Sequence, residues 1–68
     1  MYRYLLFKKA YRSVETNPYF SYGIKVSHFR VEDITTDRAS AKYLADLLNA
    51  GQVNPKHLHS FIITFLDH

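Results

Sequence analysis

Four histidines, two adjacent carboxylates and six tyrosines are the residues of this chain whose chemistry could serve a ligand or a reaction. With no cysteine present, His28, His57, His59 and His68 carry the only side-chain donors typical of a zinc site beyond the carboxylates. His57 and His59 stand two apart, so on a helix they point in different directions and cannot chelate as an i, i+4 pair does. A metal would need a distant ligand such as His28 or Asp33, and solvent-facing histidines are the simpler reading. Glu32 and Asp33 are neighbours, which in a strand places their carboxylates on opposite faces, unsuited to paired acid/base work. With Gly23 and Gly51 as the only glycines there is no phosphate-cradling loop, and no spacing suggests a nucleophile with its base. The expectation is a non-catalytic chain without metal or cofactor. Were it an enzyme, His28, Asp33 and His57 would have to carry the reaction.

Tyrosine and charge are distributed unevenly. Tyr2, Tyr4, Tyr11, Tyr19 and Tyr22 fall in the first thirty residues together with Arg3, Lys8, Lys9, Arg12, Lys25 and Arg30, against Glu15 alone. The net charge of +3 therefore hides a basic N-terminal part and a slightly acidic remainder. Aromatics interleaved with cations attract anionic partners, either nucleic acid or an acidic protein surface.

The elements that must position these residues follow from periodicity and turn signals. Residues 2–14, rich in Tyr, Leu and Phe and free of Gly and Pro, predict a strand, although both of its alternating faces begin apolar. Glu15, Thr16, Asn17 and Pro18 form a turn. Over 19–27, Phe20, Tyr22, Ile24 and Val26 alternate with small or polar residues, which predicts a strand with one apolar face. A third strand over 29–35 follows a turn at Ser27 and His28 that lacks the Asn-Gly signal.

Thr35, Thr36 and Asp37 offer a cap to a helix over 37–50, with Ala41, Leu44, Leu47 and Leu48 on one stripe and Gly51 as its terminator. Asp33 and Asp37 thus read as the end of a strand and the start of a helix. Asn54 and Pro55 restart a helix over 55–66, with Val53 and Leu58 spaced for a hydrophobic staple. Leu58, Phe61, Ile62, Phe65 and Leu66 recur at helical spacing. The class is α+β: a two- or three-stranded antiparallel sheet followed by a C-terminal helical hairpin packed on one face, in a single domain of 68 residues.

If the helices cover Phe20, Tyr22, Ile24 and Val26, and Leu5 and Phe7 join that core, the open face shows Tyr2, Tyr4, Leu6, Lys8, Arg12, Tyr19 and Lys25. Such a face suits a protein partner, since exposed Tyr and Arg anchor interfaces. It equally suits single-stranded nucleic acid, whose bases stack on rings while cations meet phosphates. A net charge of only +3 ranks protein first. The first strand also offers an edge through which a homodimer could form. No run approaches the roughly 18 apolar residues of a membrane span, and the N-terminus does not read as a secretory signal. These features predict a cytoplasmic protein.

Tyr22-Gly23-Ile24, then Val31 through Asp37, then Leu47-Leu48-Asn49, and finally Asn54-Pro55-Lys56-His57-Leu58 carry a resemblance over roughly residues 19–66. The chain resembles a family of small, uncharacterised bacterial proteins, a domain of unknown function, whose members show Tyr-Gly-Ile, Asp-Ile-Ser/Thr-x-Asp and Pro-x-His-Leu in this order. The resemblance implies the same fold order and no catalytic residue. Where that family continues with an acidic segment, this chain reads Ser60-Phe61-Ile62-Ile63-Thr64-Phe65-Leu66, which makes the last helix more apolar and adds Ile63, off the main stripe, to the candidate contact surface. The combined expectation is a small protein-binding module, a regulator or inhibitor of the kind a phage or other mobile element encodes.

Overall fold

The computed structural model describes residues 1–67, and His68, weighed above as a donor, lies outside them. The chain forms β1 (Leu5–Tyr11), β2 (Tyr19–Val26) and β3 (Phe29–Thr35), then helix α1 (Arg38–Gly51), a single 3-10 turn (Pro55–His57) and helix α2 (Leu58–Leu66). The strands lie in the order β1-β2-β3, antiparallel throughout. The α+β class, the antiparallel sheet and the two C-terminal helices are as the sequence predicts.

Local chemistry sets the boundaries. Asp37 caps α1, its carboxylate accepting from the Ser40 N–H at 3.3 Å. The Ser40 hydroxyl first, and its N–H after it, hold that carboxyl below its usual range, because both donate to the charged form. Asn54 caps the 3-10 turn through the Lys56 N–H, with Pro55 at its first position. The predicted terminator differs: Gly51 is the last residue of α1, and Gln52 takes the left-handed conformation (φ 48°, ψ 47°). A non-glycine is held there because its side chain is tied to Tyr2 and to the Asn49 carbonyl. The β2–β3 hairpin turns on Ser27, also at positive φ (50°).

The core lies between the sheet and the helices and comprises Tyr4, Ile24, Val26, Leu44, Ala45, Leu48, Leu58 and Ile62. Val53 packs against it, as do Phe61 and Phe65. Leu66, predicted on the same stripe, is 50% exposed at the helix end.

Four hydrogen bonds decide which way β1 faces. The Asn49 amide accepts from the Tyr4 N–H at 2.7 Å and donates to the Tyr4 carbonyl at 3.0 Å. The Gln52 amide does the same for Tyr2, at 2.8 and 2.9 Å. Tyr4 sends its ring into the core, 2% exposed, and its hydroxyl donates to the Val53 carbonyl. Because side chains alternate, Leu6 follows Tyr4 onto the core side while Leu5 and Phe7 turn to the open side. This reverses the predicted facing of β1.

Gly23 accommodates the reversal. It pairs with Phe7 across the ladder, and a Cβ there would lie 2.5 Å from both the Phe7 ring and the Val31 carbonyl oxygen. Gly23→Ala is therefore expected to lower stability by about 1–3 kcal/mol in urea unfolding, by forcing the ring and the backbone apart. Tyr4→Phe deletes only the hydroxyl that bonds Val53 and is expected to cost about 1 kcal/mol in the same measurement.

Candidate functional site

With both helices on one side, the open side of the sheet is built from Leu5, Phe7, Lys9 and Tyr11 of β1, Tyr19, Ser21, Gly23 and Lys25 of β2, and Arg30 of β3. Long side chains from β1 reach over the two small residues of β2. The Arg30 guanidinium carbon lies 4.6 Å from the Phe7 ring centroid, a cation–π contact above Gly23. Lys9 crosses β2, where its ladder partner is the buried Ser21, to bond Glu32 at 2.6 Å. Tyr11 and Tyr19 stack with centroids 5.7 Å apart.

A bulge in β3 completes this face. Ile24 pairs with Val31 and Tyr22 with Thr35, so Glu32, Asp33 and Ile34 stand opposite Gly23 alone. Asp33 takes positive φ (54°), a conformation Asp tolerates better than most residues. The bulge overturns the expected opposite facing of the two carboxylates. Glu32 bonds Lys9 and lies 3.5 Å from the Tyr11 hydroxyl, while Asp33 accepts from the Tyr19 hydroxyl at 2.8 Å. Asp33 is thus a bulge residue inside β3 and not its terminator. The Lys9 bond is the main cause that lowers the Glu32 carboxyl below its ordinary range. The Tyr19 phenol is raised, first by its bond to Asp33.

The predicted surface residues divide. Tyr19 and Lys25 lie on the open face. Tyr4 is in the core, because its backbone clamp and hydroxyl bond turn it inward, so it cannot meet a partner. Tyr2 is half-buried against the same core. Lys8 pairs with Tyr22 on the helix side, beyond helical cover, with its amine 4.6 Å from the Phe20 ring centroid. Phe20, expected in the core, is 60% exposed there. Arg12 follows the end of β1 and is exposed. Ile63 is exposed on α2 and lines a groove with Val31, Glu32, Asp33, Ile34 and His59.

Sequence reasoning missed Phe7, Lys9, Tyr11, Arg30 and Glu32 as one cluster. The signal was present in β2: Ser21 and Gly23, too small to fill a face themselves, leave room above them for large residues of β1. His28, His57 and His59 are exposed, and among the described residues no three His, Cys, Asp or Glu side chains gather to hold a metal ion. No described helix is long and apolar enough to cross a membrane.

Tyr19 offers a direct check of this face. Its phenol is expected to ionise above the ordinary value of 10.0, because deprotonation loses the bond to Asp33 and sets two negative charges together. In Asp33→Asn the Tyr19 titration followed by NMR should move down toward the ordinary value, and an unchanged midpoint would show that the bond does not form.

No curated protein and no solved structure matches the chain. A family model does, over residues 1–68, that of DUF6514, a family of unknown function. The chain that builds this one-sided sheet belongs to the DUF6514 family.

Proposed function

We propose that this chain is a small, non-catalytic protein-binding module that docks through the open face of its sheet. One observation carries the reading: the helices occupy one side, and the other presents Leu5, Phe7, Tyr11 and Tyr19 beside Lys25 and Arg30. Rings and an arginine laid flat on a rigid sheet are the groups that anchor protein interfaces. Lys25 and Arg30 favour a partner with acidic residues. On this reading the chain is a cytoplasmic regulator or inhibitor in a bacterial setting, of the kind phages encode.

Single-stranded nucleic acid is the second reading, supported by the same rings and cations. Two features favour protein over it. Glu32 and Asp33 place negative charge along this face, and Tyr11 and Tyr19 stack on each other, leaving fewer ring faces for bases.

The test compares affinity capture from the native host by the parent chain and by the double variant Lys25→Glu, Arg30→Glu, with thermal unfolding to verify that the variant folds. A protein retained by the parent and lost from the folded variant is the expected outcome. Oligonucleotides titrated by fluorescence polarisation at two salt concentrations discriminate the alternative. Salt-sensitive binding tighter than about micromolar would reverse the order of the two readings.

A further inference from the structure

The clamps at the start of β1 reveal which way its backbone points. Tyr2 and Tyr4 each turn both N–H and C=O away from β2 and onto the amides of Gln52 and Asn49. In an extended strand these groups point to the same side at every second residue. Leu6, Lys8 and Ala10 therefore present theirs along the same outer edge, whereas Leu5, Phe7, Lys9 and Tyr11 turn theirs toward β2. Among the described residues β1 pairs only with β2, and no hydrogen bond from a side chain or another element reaches those outer groups.

Edge strands are commonly guarded by charged side chains, lysine above all. Here both lysines of β1 lean the other way. Lys9 crosses β2 to Glu32, and Lys8 lies over Phe20 of β2. The bare stretch is bounded on one side, because the two side-chain amides already fill the places that a neighbouring strand would take at Tyr2 and Tyr4.

We infer that the outer edge of β1 accepts an extended acidic segment of a partner protein as a fourth strand, bonded at Leu6, Lys8 and Ala10. The occupant follows from charge. Residues 1–14 carry no carboxylate, and of their cations Lys9 is paired with Glu32 while Arg3, Lys8 and Arg12 are exposed. A second copy of β1 would bring the same cations against them, while an acidic strand would meet them with opposite charge. Main-chain bonds hold the guest, and the amides of Asn49 and Gln52 limit its register. The inference rests on reading the chain as a partner-binding module but uses the strand edge, not the face.

The probe is an eight-residue peptide alternating glutamate and valine, with its lysine–valine counterpart as control, added at about 1 mM to the isotope-labelled chain while amide hydrogen exchange is followed by NMR. The acidic peptide is expected to slow exchange at Leu6, Lys8 and Ala10 by at least about tenfold and the lysine peptide not to. Ala10→Pro removes one outward N–H without touching the β1–β2 ladder and should abolish the effect. N-methylalanine in place of Ala10, introduced by chemical synthesis, is the second variant should the proline unfold the edge. Lys25→Glu, Arg30→Glu should retain the protection, so that the edge and the face fail separately. Unchanged exchange, equal protection by the lysine peptide, or protection that rises with protein concentration alone would each overturn the inference, the last by making a second copy the occupant.

Discussion

The facing of β1 depends on two side-chain amides, and most of the surface follows from it. Asn49 and Gln52 sit three residues apart at the end of α1, and each bonds both polar groups of one peptide segment before β1. They act as a short substitute strand. By holding Tyr2 and Tyr4 against the helix, they direct the Tyr4 ring into the core, and alternation sends Phe7, Lys9 and Tyr11 to the opposite side. The same contacts hold Gln52 in a left-handed conformation and bring the chain after α1 within reach of the Tyr4 hydroxyl. One small polar cluster thus ties the N-terminus, the end of the first helix and the entry to the second.

The character of the open face comes from small residues as much as from large ones. Ser21 and Gly23 leave a shallow channel along β2, and the side chains of β1 cross it to reach β3: Phe7 to Arg30, Lys9 to Glu32. The bulge at Asp33 supplies the far side, setting a second carboxylate against Tyr19. The face is therefore ordered by contacts within the chain. Such order reduces the side-chain entropy that binding would otherwise cost.

The two proposed surfaces would ask different things of a partner. The face offers side chains, the rings and the cations Lys25 and Arg30, whereas the edge offers backbone alone, over the short stretch beyond the clamps. A segment added to the edge would lie beside Phe7 and Tyr11, so the two proposed surfaces adjoin.

The order of strands and helices was legible in the residues themselves. Alternation at Tyr22, Ile24 and Val26, the Asp37 and Asn54 caps and the helical spacing of Leu58 and Ile62 are local signals, and local signals survive without knowledge of the fold. That Tyr19 and Lys25 lie on the open side of β2 was legible for the same reason. The inside of β1 was not, because Tyr4 and Leu6 on one face are as apolar as Leu5 and Phe7 on the other. Residues 45 and 50 positions away in sequence decided it, when Asn49 and Gln52 bonded the backbone at Tyr4 and Tyr2. The β3 bulge likewise placed Glu32 and Asp33 where a regular strand would have separated them. Sequence determined which segments would be strand and which helix, since those preferences act over a few residues. Tertiary structure alone decided which side of the first strand meets water, since that choice is made by distant groups competing for the same backbone.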